Sequence, residues 1–369
     1  MTREDKFPPR RDNNIQIMSN IYLDTLNLSK DADHLVLATV IQTRGSAPQK
    51  AGASALFGKQ GLLAGTVGGG LLEGKVQEIA VKLAGSRRNG IFHFDLDREI
   101  RDKSEAICGG QVDVLIEDGM ARYSRLFVLG QELLKERLPF VLVTNLSPKD
   151  DGTVDIERKI VAGNDTGNET DEATRLHIVK MLREAGSSGF ICTGRFSKEK
   201  VTGDLILLES VFPLPRLIIA GAGHIGKALS HLGRILDFEV IVADDREEYA
   251  NTRNLPDAFK IIVGDIGKSV MNIGSYSDVY IVIVTRGHND DGLALRACIK
   301  TDAKYIGMIG SRTKIEKMRK EFLANGWATE EEWKRIHAPV GLDIGSKSVT
   351  EIAISIAAEL VMVRNKVRS

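Results

Sequence analysis

The feature that most constrains the fold is a glycine-rich turn, GAGHIG at residues 221–226, set between a buried strand pattern and a helical pattern. The apolar run LIIA precedes the turn, and KALSHLGRIL, whose apolar residues have helical spacing, follows it. Further apolar runs are FEVIVADD, KIIVG, VYIVIVT and KYIGMIG, with helical stretches after the last two. Buried strands that alternate with helices predict a doubly wound parallel sheet, so residues 214–369 are expected to form a Rossmann-like domain.

The glycines of this turn predict a phosphate-binding loop. Gly221 permits the tight turn, Gly223 lets the backbone approach a pyrophosphate, and Gly226 allows close packing of the helix. The helix N-terminus adds free amides and a partial positive charge. The predicted cofactor-binding residues of the turn are Gly221, Gly223, His224, Ile225 and Gly226. The alternative is a Rossmann fold that has lost its nucleotide.

A carboxylate follows at the end of the next strand. Asp244 lies roughly twenty residues after the turn, where such a group accepts a hydrogen bond from a ribose hydroxyl. We therefore predict that Asp244 and Arg246 contact a bound nucleotide. If Asp244 faces elsewhere, Arg246 is the cation with which it is expected to pair.

Two loops follow later strands and are expected at the carboxyl edge of the sheet, where open α/β sheets bind ligands. In the first loop, residues 285–291, an arginine can bind an anion and a histidine can transfer protons. In the second, residues 309–312, serine and arginine can bind a phosphate. The predicted binding residues are Arg286, Gly287, His288, Ser311 and Arg312. The alternatives are a helix cap at Asn289 or Asp290 in the first loop, and a simple helix start in the second.

The last part of the chain is expected to complete this domain. The stretch 337–345 is too rich in turn residues for a regular element, and we predict a loop that folds over the same edge. Ser348 and Glu351 form a capping pair for the last helix. The apolar face of that helix, Ile352, Ile356 and Leu360, is expected to dock on the sheet.

The chain divides into three predicted regions. Residues 15–120 are expected to form a mixed α/β domain, with strand patterns at HLVLATVIQ, IFHFDLD and QVDVLIE. Residues 121–213 form a middle connecting α/β region without an assigned role, in which residues 152–163 predict a hairpin. Pro213 and Pro215 mark the boundary to the C-terminal domain.

Two loops of the N-terminal half expose backbone amides. These are GSAP at residues 45–48 and TVGGG at residues 66–70, the latter just ahead of the helical stretch 72–83. Such loops can form anion-binding nests, and three glycines before a helix favour a ligand at its N-terminus. Glu73 follows at the helix start. The alternative is tight turns and close packing alone.

Cys108 precedes Gly109 and Gly110 between two strand patterns. A thiol in such a loop can be a sulfur carrier, a metal ligand or a nucleophile, and the alternative is a buried inert cysteine. Cys192 and Cys298 fall in apolar patterns and are expected in the core. Three cysteines without paired spacing argue against a disulfide framework or a zinc site and fit a reducing compartment.

Charge and hydropathy argue against several classes of function. Lysine plus arginine equals aspartate plus glutamate at 50 each, so no global charge favours nucleic acid or an anionic membrane. No apolar run has the length of a membrane span, and the charged N-terminus lacks a signal core. We therefore expect a cytoplasmic protein without a nucleic-acid or membrane partner.

In combination, these motifs resemble the XdhC family, the accessory proteins of xanthine dehydrogenase. The matching N-terminal motifs are GSAP with the following GAS, then GTVGGGLLE and CGG. The matching C-terminal motifs are GAGHIGKAL, ADDRE, VTRGHNDD, MIGSRTK and HAPVGLDIG with EIAISIAAE. The resemblance extends from about residue 38 to 362, and the middle, about 121–210, contributes little to it.

The resemblance implies a maturation factor and favours a non-catalytic cofactor-binding role over that of an enzyme. Such a factor binds molybdenum cofactor (molybdopterin) as cargo, supports its sulfuration by a cysteine desulfurase, and delivers it to an apo xanthine dehydrogenase-type hydroxylase. The loops at 45–52 and 65–70 would hold its phosphate and pterin. The implied contacts are Ser46, Pro48, Gly52, Thr66, Gly68, Gly69, Gly70, Glu73, Gly109 and Gly110, with Cys108 against the molybdenum or its sulfur. We also expect a homodimer.

The chain departs from the family pattern at two places. The family often has arginine after the proline of its first motif, whereas this chain has Gln49 and Lys50. Lysine is a point charge and cannot replace a bidentate guanidinium, so the anion specificity of that loop is open. Val349 stands where a proline often precedes the last helix, a change we expect to affect structure only.

Two other functions are compatible with the motifs. The first is an NAD(P)-dependent oxidoreductase, for which His288 and His337 are the available acid or base residues. No hydride-acceptor site can be identified in the N-terminal half. The second is an assembly scaffold with a vestigial Rossmann domain. Bound pterin and molybdenum, bound NAD(P), or no ligand would distinguish the three.

Overall fold

The structure, a computed structural model, describes residues 21–28, 34–96, 110–163, 171–183, 189–194, 203–272 and 278–366. The chain splits into two compact units, Met1–Pro213 and Leu214–Ser369, called here the N-terminal and C-terminal units. A division of the first unit near residue 120 stays a prediction. None of the helices in the described ranges is long and apolar enough to cross a membrane.

The described elements of the N-terminal unit are, in chain order, α1 (Ile21–Asn27), β1 (Val36–Arg44), β2 (Ser54–Gly58), β3 (Gly61–Gly65), α2 (Gly70–Leu83), β4 (Asn89–Asp95), β5 (Gln111–Asp118), α3 (Ser124–Lys135), β6 (Phe140–Pro148), β7 (Val154–Ala162), α4 (Glu172–Arg183), β8 (Phe190–Thr193) and β9 (Leu205–Val211). They form two antiparallel sheets. The first has the strand order β3-β2-β1-β5-β4, and the second has the order β7-β6-β9-β8.

The two faces of the first sheet are both covered, because the side chains of a strand alternate between faces. Val36 and Val40 of β1 pack against α2 through Val76, in a core that also contains alternate residues of β5. Leu37 points to the opposite face and packs with Leu142 of the second sheet. The motif-bearing loops therefore extend from a sheet that is fixed on both sides.

The hairpin predicted for residues 152–163 is wrong. Residues 154–162 form the single strand β7, which pairs along its whole length with β6. The turn lies earlier, where the Asp151 carboxylate accepts a hydrogen bond from the Thr153 amide at 2.9 Å and Gly152 has a φ of +82°. An Asp-Gly pair is a strong turn signal, and it marks the connection between β6 and β7.

The described elements of the C-terminal unit are β10 (Arg216–Ala220), α5 (His224–Ile235), β11 (Glu239–Asp244), β12 (Lys260–Val263), α6 (Ile266–Met271), β13 (Val279–Ile283), α7 (His288–Cys298), β14 (Tyr305–Met308), α8 (Arg312–Ala324), α9 (Glu330–Lys334), β15 (Ile336–His337) and α10 (Val349–Lys366). All strand pairs are parallel, and the order is β12-β11-β10-β13-β14-β15. The predicted Rossmann-like doubly wound sheet is confirmed.

Helices cover both faces of this sheet. One core contains residues of β10, β13 and β14 with α7 and α8, and the other contains residues of the same strands with α5 and α10. Ile356 and Leu360 of α10 are buried in the second core, with Ile352 packed against it, as predicted. The capping pair is also present, since the Ser348 amide donates to the Glu351 carboxylate at 2.9 Å.

Candidate functional site

The glycine-rich loops of the N-terminal unit meet at one end of its first sheet. A Cβ atom built on Gly45 would lie 3.2 Å from Cα of Gly110, so the loop after β1 touches the residue that precedes β5. A Cβ atom on Gly68 would lie 2.8 Å from Cγ of Pro48, so the loop before α2 touches the first loop. Three motifs that are far apart in the sequence are therefore adjacent in space.

The N-terminus of α2 opens beside these loops. Gly69 is its N-cap residue, with φ 69° and ψ −176°, and Gly70 has a φ of +54°. Only glycine readily adopts the first of these conformations. No side chain caps the helix, and a Cβ atom on either glycine would meet nothing within 4 Å. The first turn of α2 is therefore accessible to a ligand.

Glu73 holds the loop that leads into α2. Its carboxylate accepts a hydrogen bond from the Thr66 hydroxyl at 2.7 Å and one from the Val67 amide at 3.3 Å. The Thr66 hydroxyl oxygen also accepts from the Gly68 amide at 3.0 Å. Thr66 and Glu73, both predicted to contact cofactor, thus position the glycine run, while their direct contact with a ligand stays a prediction.

The remaining predicted residues of this site differ in their surroundings. Ser46 is exposed at the loop surface. Gly52 has a φ of +92°, and a Cβ atom there would lie 2.7 Å from Cβ of Phe190, which fits the packing alternative. Cys108 and Gly109 lie outside the described residues, so their predicted roles stay predictions.

The two described cysteines behave as expected for core residues. Cys298 is fully buried in α7, and Cys192 of β8 packs against an apolar cluster. Burial raises the pKa of both thiols to about 12, with Asp113 contributing at Cys192. Both thiols are therefore protonated at neutral pH. Among the described residues, no group of three histidine, cysteine or acidic side chains could hold a metal ion.

The glycines of the C-terminal turn fall into two kinds. A Cβ atom on Gly221, whose φ is +118°, would lie 2.5 Å from the Val284 carbonyl oxygen, and one on Gly226 would lie 1.9 Å from the Gly221 carbonyl oxygen. These two glycines are required by close packing. Gly223, the N-cap of α5, has an ordinary extended backbone, and a Cβ atom there would meet nothing within 4 Å.

Two other residues of the turn had also been predicted to bind a ligand. His224 is the first residue of α5, and Ile225 packs against the core. The space above Gly223, where a pyrophosphate is expected to approach, is free, because an added Cβ atom there meets nothing within 4 Å.

Asp244 is already engaged by protein donors. Its Oδ1 accepts from the Arg246 amide at 3.0 Å and from Arg246 Nε at 2.8 Å, and its Oδ2 accepts from the Ala222 amide at 2.7 Å and from Arg246 Nη2 at 2.9 Å. Burial alone would raise the pKa of Asp244, but these hydrogen bonds outweigh it and hold the pKa below its ordinary value. The carboxylate pairs with Arg246, and its contact with a ribose stays a prediction.

The helix after β13 is capped by a different residue from the two considered in the sequence analysis. Gly287 is the N-cap of α7, so Asn289 and Asp290, proposed as caps, lie inside the first turn. The alternative with Asn289 or Asp290 as the cap is wrong, because the cap lies two or three residues earlier, at Gly287. Arg286 lies 3.1 Å from Asp245 and 3.5 Å from Asp290.

The histidine of this loop is held only loosely. His288 Nε2 lies 3.4 Å from a carboxylate oxygen of the exposed Glu321. This contact gives no information on proton transfer, so the role of His288 in it stays a prediction.

A residue missed from the sequence fixes this loop. The Asp291 side chain is fully buried and accepts hydrogen bonds from the Thr285 amide at 3.2 Å and from the Thr285 hydroxyl. It also pairs with Lys314 of α8. Burial raises the pKa of Asp291 despite these partners. The signal was an aspartate on the helix face that otherwise carries Leu295 and Cys298.

The two remaining loops of the edge have structural roles. Ser311 is the N-cap of α8 and accepts from the Lys314 amide at 3.2 Å, and Arg312 is the first helical residue, which matches the helix-start alternative. The stretch from residue 337 is not entirely a loop, because Ile336–His337 form the short strand β15 beside β14. The Val340 amide then donates to the Met308 carbonyl at 3.0 Å, so the following loop lies over the end of β14.

A cavity of about 620 Å³ lies elsewhere in the C-terminal unit. It borders the edge strand β12 and is lined by residues such as Phe259, Ile261 and Lys268. None of the residues predicted from the sequence lines it. The candidate sites are instead the open α2 N-terminus in the N-terminal unit and the Gly223 turn in the C-terminal unit.

The architecture defines a class: an α/β unit with clustered glycine loops, joined in sequence to a Rossmann-like unit with an intact glycine turn. Residues 217–360 match the XdhC Rossmann domain, and residues 28–95 match the XdhC and CoxI family. The chain belongs to the XdhC family, which confirms the resemblance inferred from the motifs.

Two related proteins match this chain along almost its whole length. The chain is 24% identical over 347 residues to the uncharacterized protein YqeB of Escherichia coli (strain K12), covering 94% of this chain and 46% of YqeB. It therefore spans about half the length of that relative. It is 24% identical over 352 residues to a probable xanthine dehydrogenase subunit of Bacillus subtilis (strain 168), covering 95% and 99% of the two chains.

A solved structure shares the fold. The crystal structure of a xanthine dehydrogenase from Bacillus halodurans matches with a TM-score of 0.72 and 24% identity, covering 94% of this chain and 96% of that one. At this identity the match describes the arrangement of elements and not the chemistry.

Proposed function

We propose that this chain is an accessory protein that binds molybdenum cofactor as cargo and serves the maturation of a xanthine dehydrogenase-type hydroxylase. The observation that carries the proposal is the meeting of three glycine motifs beside the uncapped α2 N-terminus. Membership of the XdhC family and the name of the Bacillus subtilis relative support the same client.

The chemistry of the loop cluster suits the phosphate end of this cargo. The first amides of α2 lack a side-chain cap, and the positive end of the helix dipole favours an anion. Gly69 and Gly70 leave space for a phosphate to approach the backbone. The pterin would then extend across the loops that carry Ser46 and Pro48.

Sulfuration and delivery complete the proposal. Cys108 precedes Gly110 by two residues in the sequence, and Gly110 touches the first glycine loop. We place the Cys108 thiolate against the molybdenum or its sulfur, because a thiolate is a good ligand for a soft metal centre. A cysteine desulfurase and the apo-hydroxylase are the proposed partners, and the proposed setting is a cytoplasmic homodimer.

We predict that Gly70→Asn abolishes retention of molybdenum cofactor while the protein stays folded. The φ of +54° at Gly70 is one that asparagine tolerates, and the added side chain would project into the open space at the α2 N-terminus. Molybdenum and pterin are measured in full-length protein purified anaerobically. The matched control is Gly119→Asn, which has a φ of +79° and open space but lies after β5. Equal cofactor content in the two variants would contradict the proposed site.

A second binding function is supported by the C-terminal turn. We infer that this unit binds a phosphate-bearing nucleotide of the NAD(P) type. The free space above Gly223, with close packing at Gly221 and Gly226, is the arrangement through which a pyrophosphate reaches a helix N-terminus. The nucleotide would therefore lie across the carboxyl edge of β10 and its neighbours.

For this second site, Gly223→Val is expected to abolish nucleotide binding without unfolding the unit. The extended backbone accepts a valine, whose Cβ atom would meet nothing within 4 Å, but the side chain would block the approach of a phosphate. Calorimetric titration with NAD(P) measures the effect. Gly226→Val serves as contrast, because it would force a side chain against the Gly221 carbonyl and lose the fold. Unchanged affinity in a folded Gly223→Val protein would overturn the inference.

A further inference from the structure

A second histidine of the C-terminal unit is held by a buried carboxylate. His337 Nδ1 lies 2.9 Å from Oε1 of Glu359, and the imidazole packs against the Tyr305 ring with a centroid distance of 4.5 Å and an interplanar angle of 35°. Oε2 of Glu359 accepts hydrogen bonds from the Tyr305 hydroxyl at 2.5 Å and from the Gly341 amide at 2.8 Å. Three elements, β14, β15 and α10, thus fix this imidazole in one orientation.

The protonation of the group follows from its partners. Burial alone would raise the pKa of Glu359, but hydrogen bonds from His337, Tyr305 and the Gly341 amide outweigh it and keep the pKa below its ordinary value. Glu359 is therefore ionised and accepts only, so His337 Nδ1 carries a proton and donates it. Burial raises the pKa of Tyr305, which stays a neutral donor. The proton that can be exchanged is the one at Nε2.

The Nε2 atom of His337 is available to a ligand. One third of the side chain is exposed, and the described contacts of this imidazole give Nε2 no protein partner. An imidazole with one nitrogen anchored to a carboxylate and the other free has the arrangement of a general acid or base. His288, the other candidate, has instead a single contact of 3.4 Å to an exposed glutamate.

The position of His337 in the sheet agrees with such a role. It is the last residue of β15, at the carboxyl edge and on the opposite side of β10 from β11 and β12. A dinucleotide on the glycine turn would place its adenosine towards β11 and its second nucleotide towards β13 to β15. His337 therefore lies on the half of the edge that receives the nicotinamide end.

We propose that His337, positioned by Glu359, is a proton-transfer residue for hydride exchange between a nicotinamide nucleotide and a small carbonyl compound. The proposal rests on the inferred nucleotide site. When bound, the reduced nucleotide supplies the hydride. The hydride would leave the nicotinamide C–H bond and form a C–H bond at the carbonyl carbon. The carbonyl π electron pair would then reside on the oxygen, which takes the proton from His337 Nε2. The neutral imidazole keeps its Nδ1 proton on Glu359, and alcohol oxidation is the reverse.

Nitrogen NMR of histidine-labelled full-length protein tests the proposal with NADH and NADPH as probes. At pH 8 we expect His337 to show one tautomer, protonated at Nδ1, and its Nε2 signal to move on addition of the nucleotide that calorimetry shows to bind. Glu359→Gln is expected to give a mixture of tautomers, because an amide can present either a donor or an acceptor to Nδ1. Modification of His337 by diethyl pyrocarbonate is expected to slow several-fold when the nucleotide is bound.

The matched control is a second histidine–carboxylate pair in the same unit. His231 lies 2.8 Å from Asp257 through Nδ1 and stands seven residues, about 10 Å, along α5 from its first residue, so its signal and reactivity are expected to stay unchanged. Nucleotide binding that leaves the His337 Nε2 signal unmoved, or moves both histidines alike, would overturn this proposal alone. Failure of both nucleotides to bind would overturn the nucleotide site and this proposal together.

Discussion

Replacing Glu117 with glutamine is expected to lower the free energy of unfolding of the N-terminal unit by about 3–5 kcal/mol. Arg158 Nη1 donates to Glu117 Oε2 at 2.7 Å, Nη2 pairs with Oε1, and the two side chains are 1% and 0% exposed. Tyr22 and Tyr123 place their rings 5.9 Å and 4.7 Å from the guanidinium carbon. The glutamine preserves shape but leaves a buried positive charge without its counterion.

Urea unfolding measures this loss of stability, and the C-terminal unit of the same protein serves as an internal reference. Both tryptophans, Trp327 and Trp333, lie in the C-terminal unit, so their fluorescence reports that unit while circular dichroism reports both. The control is Asp155→Asn, which breaks the exposed pair with Lys149 and is expected to leave the midpoint unchanged. A Glu117→Gln midpoint equal to that of the wild type would show that the buried pair adds no stability.

A second large effect is expected on the stability of the N-terminal unit, which depends on pH through the protonation of Glu209. Burial raises the pKa of Glu209 to about 7, although the Tyr22 hydroxyl donates to it at 2.8 Å and Arg158 is near. The folded protein therefore holds a proton that the unfolded chain, with its ordinary value of 4.5, releases. Stability contributed by this group is present below about pH 4.5 and is lost as the pH rises to about 7.

Glu209→Gln is expected to remove this dependence and to stabilise the N-terminal unit at pH 8 by about 3 kcal/mol relative to the wild type. The two proteins should be equally stable near pH 4, where the glutamate is neutral. Unfolding midpoints from pH 4 to pH 8 test this, with the exposed Glu157→Gln on β7 as control. Parallel profiles for wild type and Glu209→Gln would mean that the carboxyl is solvated in the folded state.

The sequence predicted the C-terminal unit well because its signals are local. Uninterrupted apolar runs such as VYIVIV, separated by helical stretches, leave few alternatives to a parallel sheet. The glycine turn was placed correctly between β10 and α5 because two of its glycines, Gly221 and Gly226, are required by close packing against backbone carbonyls near the turn. The prediction of a hairpin at 152–163 failed because one alternating strand was read as two, while the Asp151-Gly152 turn signal at the start of this range was overlooked.

The parts that could not be predicted depend on contacts between distant elements. The pair of Glu117 and Arg158 joins two sheets, and neither residue differs from a surface residue when its own strand is considered alone. The hydrogen bond between His337 and Glu359 likewise joins β15 to α10. A carboxylate one position from the apolar stripe of α10 was the available signal, but its partner could not be identified from spacing.

Analysis of the ligand content of full-length protein decides whether this chain carries molybdenum cofactor on its glycine loops. The protein is purified anaerobically from its own host, and its molybdenum, pterin and nucleotide contents are measured by metal analysis and mass spectrometry. We expect molybdenum and pterin in equal amounts in the wild type, and neither in Gly70→Asn. Protein that contains no pterin under any condition, or the same amount in Gly70→Asn, would contradict it.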